Sequence, residues 1–418
     1  MLARMSRNIG AQFLGLLSGL LDRLLLAGLM IRVWGLEAFT DWSVITSAAT
    51  LFGVCELGMQ LHFLNLMQAA HVKGERAAFE HVFGIAKFCY GAIALAFCAF
   101  IPLALWAANT WRWFDMRAFA VNETAVIFIA MALASVIAVL RAPYASSLMA
   151  RGHFPLAITM GTLTFTAMVL ISIAALADGA RPITLAIIQL LWMGPVSILL
   201  LYWADRRNRA AMNFGPASGY RVPTWVEVRS IARHVKWFAV QQVGPIILLQ
   251  LPVTLMTGFG VETRALAAFI LIRTLINITR QLTTVVSSAT GVEIASVMHA
   301  ETDSAGTAWA ATQRVGWTAT AAAAVLAPAI LIFGGQFVEV WTKRSDIFDP
   351  TLTAWLLLPV IATIPLQQVA THLQFAGRVV WRRRNDRDAM AEAHPFAAEF
   401  QHAVGWRVRL GQEVVGEE

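Results

Sequence analysis

Apolar runs of about twenty residues recur along the chain, with short polar connections between them. They fall at about 9–31, 42–66, 84–108, 122–140, 154–177, 182–203, 237–258, 264–286, 315–335 and 352–373. A helix rises about 1.5 Å per residue, so each run is long enough to cross a hydrocarbon core of roughly 30 Å. The pattern predicts an all-α polytopic membrane protein of about ten transmembrane helices. The longest internal connection, about 204–236, is rich in Arg, Gly and Pro and divides the runs into six and four. The expected organisation is a six-helix bundle over 1–204, a basic linker over 205–236, an incomplete second bundle over 237–377 and a polar tail over 378–418. The linker carries VPTWVEVRSIARHVKW, the pattern of a short basic amphipathic helix that can lie on anionic membrane lipids.

Composition supports the membrane class. Hydrophobic residues make up 58% of the chain and charged residues 14%, with a mean hydropathy of +0.64. A soluble domain is nearer a quarter charged. The net charge of +7 does not point to nucleic acid, because the basic residues sit in short connections between apolar runs. Leaving out the tail and counting Lys87 and Arg264 at the span ends with the adjoining connections, one set of connections carries fifteen Lys and Arg and the other set seven. The richer set includes Arg4, Arg7, Arg151 and Arg206 and shares a side with the N-terminus, so the N-terminus is expected in the cytoplasm. The run after Arg7 is too long for a signal-peptide core and reads as an uncleaved first span. Cys55, Cys89 and Cys98 lie in apolar runs without metal-ligand spacing and read as small buried hydrophobes.

The chemistry concentrates in one run. Arg273, Asn277, Arg280, Gln281 and Thr284 lie within LAAFILIRTLINITRQLTTVV at spacings that put them on one helix face. Each guanidinium at mid-bilayer costs about 2.5–3.5 kcal/mol on insertion scales, so such residues face protein or a wet cavity and mark a substrate route. Arg273 is about ten residues into its span and is the strongest candidate to grip an anion through its forked donors. Arg280 is nearer the span end and either joins that face or snorkels to headgroups. Span one carries Gln12, Gly15, Gly19, Asp22 and Arg23 along a stripe. Asp22 and Arg23 are neighbours; one is expected to face a cavity while the other pairs with an adjoining span. Glu56 in span two is a partner for Arg23 or Arg273, or a carrier of a proton or cation. Gln242, with Gln241 and Gln250, lies in a span that Pro245 and Pro252 are expected to kink; its amides either contact a ligand or bond to neighbouring helices.

The two groups of spans are weakly related at an offset of 225 residues. Gly35-Leu36-Glu37 aligns with Gly260-Val261-Glu262, and Phe13, Ile45, Leu148 and Gly152 align with Phe238, Ile270, Leu373 and Gly377. Repeated bundles with a site between them are a common transporter plan. With this plan, the segments GLEAFTDWSVITSAATLFGVCELGMQLHFLN, RAPYASSLMARGHFP and HVKWFAVQQVGPIILLQLPVTLMTGFGVETRALAAFILIRTL resemble the multidrug/oligosaccharidyl-lipid/polysaccharide exporter superfamily. Within it the chain looks most like the O-antigen-type polysaccharide-biosynthesis flippases. The resemblance covers most of 1–377. It implies a transporter in the cell inner membrane that flips undecaprenyl-pyrophosphate-linked oligosaccharide by alternating access. It also implies a cavity between the first, second, seventh and eighth spans, where Arg23 and Arg273 would bind the pyrophosphate. Polysaccharide polymerase and chain-length proteins would be further partners. The departure follows Gly377, where the repeat predicts two more spans and the chain is polar; the second bundle would then lack its last hairpin.

A cation-coupled multidrug exporter of the same superfamily is the alternative. It would favour acidic residues in the cavity, whereas the buried charges are read as Arg23, Arg273 and Arg280 against Asp22 and Glu56, with Glu293 just past the end of its run as a further candidate. A membrane polymerase or ligase would need a long external loop with Arg and His, and neither 109–121 nor 336–351 holds a His. The sequence contains no P-loop, zinc motif or nucleophile elbow. No enzymatic reaction, cofactor or nucleic-acid partner is expected. With ten spans, a reporter fused after Glu418 should read as cytoplasmic and one inserted in 109–121 as external; the reverse in a paired reporter assay overturns the topology.

Overall fold

The computed structural model describes residue 10 and residues 13–375, apart from 57, 111–115, 213, 216, 301–304 and 346; side chains are described for these except at 54, 234, 236–249, 282–312 and 365–375. The tail over 378–418 therefore lies outside the described residues. Every regular element among the described residues is helical. We number them α1 (Phe13–Trp34), α2 (Leu36–Thr50), α3 (Met59–Val72), α4 (Arg76–Thr110), α5 (Val121–Ala150) and α6 (Phe154–Ala177). They continue as α7 (Pro182–Ala211), α8 (Trp225–Gly258), α9 (Thr263–Ala300), α10 (Ala305–Thr342) and α11 (Pro350–Phe375).

By length and composition, six described helices can cross a membrane: α1, α4, α5, α6, α7 and the Gln313–Thr342 part of α10. Against the ten expected runs, the second is the instructive difference. The 42–66 run is broken: α2 passes into a 3-10 turn, Leu51–Glu56, and α3 restarts after Gly58. Gly58 takes φ 69°, a left-handed conformation that costs a residue with a Cβ but not glycine. Neither half, at 15 and 14 residues, spans alone. The amphipathic segment of the linker also differs from expectation. It is the first third of α8, which runs unbroken past Pro245 and Pro252. Its start is fixed by a capping box, in which Thr224 and Glu227 exchange side-chain and backbone bonds.

The main core draws on α1 to α5, with Phe39, Ile45, Phe63, Phe79, Phe83 and Ile127 all nearly inaccessible. A smaller core of Ile272, Ile276, Ala327 and Leu357 ties α9, α10 and α11 together. Although α8 opens the second group of spans in the sequence, it packs mainly on α2, its 3-10 turn and α3.

A charged network joins the start of α4 to the ends of α5 and α7. Arg151 pairs with Asp205, and Arg209 pairs with both Asp205 and Glu80. Arg209 is 2% exposed, and its guanidinium stacks over Phe83 at 4.7 Å and Phe214 at 5.5 Å. Burial pulls Arg151 down to about 10, against the opposing pull of Asp205. Glu80 also receives the Ser218 backbone N–H at 2.8 Å, so the network captures the linker. The linker lies close on α4: the Arg221 N–H donates to the Gly84 carbonyl at 3.1 Å. A Cβ on Gly84 would sit 2.9 Å from the Gly219 carbonyl, which explains a glycine there. His81 bonds Glu227 at 2.7 Å; that bond, then those from Thr224, hold the Glu227 carboxyl down to about 2. Removing one member of a buried ion pair strands the other and costs about 3–5 kcal/mol. Asp205→Ala should therefore lower the unfolding midpoint of the detergent-solubilised protein and expose 212–224 to protease, whereas an exposed control such as Arg206→Ala should do neither.

Candidate functional site

Asp22 and Arg23 lie in a π-helical turn, Leu21–Leu26, inside α1. Adjacent residues on an α-helix point about 100° apart. The wider π turn narrows that angle, and such turns are concentrated at functional sites. Glycines let α1 approach its neighbours. Gly15 faces Thr162 of α6, where a Cβ would lie 3.4 Å from the hydroxyl, and one turn on Gly19 faces Gln281 of α9. Beside Gly15, the Ser18 and Thr166 hydroxyls bond at 2.5 Å.

Contact between α1 and α9 assembles the cationic residues. With its amide oxygen turned toward α1, Gln281 accepts from the Arg23 guanidinium at 2.7 Å. Arg23 is close enough to Arg280 and Arg273 for the charges to act on one another, and Asp22 is the opposing charge beside it. Arg23, Arg273, Asn277 and Arg280 are all half-buried. The sequence-predicted residues of spans one and eight thus share one region, carrying three guanidiniums and one carboxylate among the described residues. An anion with several oxygens could be gripped there by forked, charge-assisted hydrogen bonds. The side chains of Gln242 and Thr284 lie outside the described residues.

Glu56 does not join this group. Its opposing charge is Arg141 of α5, not Arg23 or Arg273. Trp341 of α10 is a further residue at this site. It is 8% exposed, and its indole donates to the Leu24 carbonyl within the π turn at 2.5 Å. Gly28 makes room for it, since a Cβ there would meet the ring at 2.8 Å. No single-sequence signal separates such a tryptophan from a lipid-facing one. A cavity of about 320 Å³ lies elsewhere, between Phe52, Phe97, Phe128, Leu251 and Thr254. Its walls are apolar and hold no cation, so the arginine group is the better candidate for an anion.

No protein-family model matches the sequence, and neither does any curated protein. Solved structures do match in fold. An inward-facing multidrug-resistance MATE family transporter of the MOP superfamily superposes with TM-score 0.59 at 13% identity, covering 86% of this chain and 82% of that one. An outward-facing structure of a transporter so described gives 0.57 at 14% identity, covering 98% and 89%. A MOP superfamily transporter from Pyrococcus furiosus, described as having a binding pocket of reverse polarity that suggests a different function, gives 0.56 at 14% identity, covering 90% and 83%. The chain therefore has the MATE-like transporter fold, and its class is that of all-helical, multi-pass membrane proteins.

Proposed function

We propose that this protein is an inner-membrane transporter working by alternating access, and that its substrate is anionic. The observation that carries the reading is that Arg23 of α1, with Asp22 beside it, lies close to Arg273 and Arg280 of α9. Guanidiniums at membrane depth are costly unless matched by opposite charge, and a diphosphate matches them with several oxygens. The substrate class we favour is a lipid-linked oligosaccharide. Its pyrophosphate would sit at the arginines, its prenyl tail would stay in lipid, and anionic lipids would surround the linker face. Polysaccharide polymerase and chain-length proteins would work beside it.

A second reading, a cation-coupled multidrug exporter, is favoured by the solved neighbours described as multidrug-resistance transporters. Against it stands the sign of the charge: an excess of guanidiniums repels a cationic drug. The Pyrococcus furiosus neighbour supports the idea that pocket polarity varies within this fold.

Native mass spectrometry with undecaprenyl diphosphate tests the proposal together with complementation of a flippase-deleted strain. Losing a hydrogen bond to a charged group costs about 1.5–3 kcal/mol, so Arg273→Ala should weaken lipid binding roughly ten- to hundredfold. Arg273→Lys should retain part of it, keeping the charge but not the fork. Full complementation by Arg273→Ala overturns the assignment. Drug resistance conferred on an exporter-deficient strain, without lipid binding, selects the second reading.

A further inference from the structure

The apolar cavity of about 320 Å³ has the shape of a channel along two helices. On α4 its lining is Phe97, Phe100, Ala104 and Ala108; on α8 it is Leu251, Thr254, Leu255 and Gly258. Spacings of three and four put each set on one helix face, so two stripes confront each other along the helix axes. From Phe97 to Ala108 the stripe is about 16 Å long, at 1.5 Å per residue. Spread over that length, the volume leaves a channel roughly 20 Å² in section, the width of one chain whose carbons meet the walls at about 4 Å. Small residues open one end: Ala104, Ala108 and Gly258 lie toward the termini of α4 and α8. Phenylalanines close the other. Phe52, on the 3-10 turn that breaks span two, stands 6.3 Å from Phe97 and 6.0 Å from Phe128 between ring centres.

Helix direction sets the depth. With spans alternating across the membrane, the end of α4, the start of α5 and the end of α8 share one level, on the side away from the N-terminus. The channel therefore runs from that surface toward mid-membrane. It also opens sideways. Phe100 is 50% exposed, Leu255 42% and Phe259, just past α8, 81%, so the mouth lies between α4 and α8. Among the candidate spans of the described residues, α4 is the least buried, and what faces the mouth is hydrocarbon. At the opposite end the His81–Glu227 bond of 2.7 Å ties α4 to α8. The two helices are thus joined at one end and held apart by the cavity at the other. A void of this size forfeits dispersion contacts along its whole lining, and protein interiors hold few such voids unfilled.

We infer that this channel is a binding site for one acyl chain of a phospholipid from the leaflet away from the N-terminus. The chain is a wedge between α4 and α8, with its end against the Phe52 break. The walls select hydrocarbon: Thr254 is the one polar side chain in the lining, and its hydroxyl is shielded. The headgroup stays outside, at the level of the helix ends. A resident phospholipid fits better than the tail of a transported lipid. The arginine group lies at the contact of α1 and α9, and neither helix contributes to the lining. The inference therefore stands apart from the identity of the substrate. Because α8 also runs along α2 and its 3-10 turn, the wedge touches the broken second span and sets how far α8 stands from α4.

Photo-crosslinking of the full chain tests this, in nanodiscs of phosphatidylglycerol and a phosphatidylcholine that carries a diazirine near the end of one acyl chain. Peptide mass spectrometry after illumination should place adducts on Phe52, Phe97 or Phe128, at the closed end. Ala104→Phe fills the channel and should abolish those adducts. Leu103→Phe, on the lipid-facing side of α4 at a residue 53% exposed and outside the lining, should keep them. A prenyl diphosphate probe with a diazirine at its tail should not label the closed end. Adducts confined to outward positions such as Leu95 and Leu103 mark ordinary surrounding lipid and overturn the proposal. So does closed-end labelling that persists in Ala104→Phe, or that comes from the prenyl probe and not from the phospholipid. If Ala104→Phe does not fold, Leu255→Trp at the exposed mouth decides: closed-end labelling unchanged there also overturns it.

Discussion

A guanidinium placed at the depth of a hydrocarbon layer has to be answered by an opposite charge, a π face or a bound anion, because the solvent will not answer it. Among the described residues, three groups of buried or half-buried arginines are answered in different ways. Arg209 and Arg151 are answered within the protein by Asp205 and Glu80, with Phe83 and Phe214 stacked on Arg209. Arg141 is opposed by Glu56 without a direct pair. Arg23 is opposed by Asp22 beside it and lies close to Arg273 and Arg280 across the α1–α9 contact. The first arrangement fastens the fold, the second sits where two helix breaks meet, and the third is suited to an anionic ligand.

Irregular helix turns put these groups where they are. The π turn carries Asp22 and Arg23, the 3-10 turn before Gly58 carries Glu56, and the 3-10 turn inside α5 carries Arg141. Each departure frees or redirects backbone groups that a low-dielectric setting would penalise, and for two of the three the compensation lies nearby. The Leu24 carbonyl accepts from Trp341, and Gly58 absorbs the left-handed step into α3. Such breaks are tolerated at membrane depth only where they are buried in protein or line a cavity. Their coincidence with the charged residues is therefore a physical argument for function, and it stands independently of the distant structural neighbours.

The linker binds to this scaffold through polar contacts. Glu80, His81 and Gly84 on α4 receive Ser218, Glu227 and Arg221, so the entry of α8 is tied to the start of α4. From there α8 runs along α2 and α3, next to the broken second span. A change in the second span therefore has a direct mechanical neighbour in α8.

Much of the class and part of the site could be read from the chain. Long apolar runs and scarce charge dictate a helical membrane protein, because only internal hydrogen bonding survives in lipid. The spacing of Arg273, Asn277, Arg280 and Gln281 puts them on one face whatever the helix packs against. The Gly15 and Gly19 spacing foretells close approach, though not that one glycine would face α6 and the other α9. Periodicity does not reveal the π and 3-10 turns, since each shifts the phase by a fraction of a turn within an unbroken apolar run. Nor does it reveal partners. Glu56 is as compatible in sequence with Arg23 or Arg273 as with Arg141, and packing alone chose Arg141. The same holds for Arg151 and Arg209, which read as ordinary loop charges by the positive-inside bias yet are buried in an ion network. Local pattern fixes which face a residue occupies; the charge it meets across that face is a long-range contact, and only the assembled helices decide it.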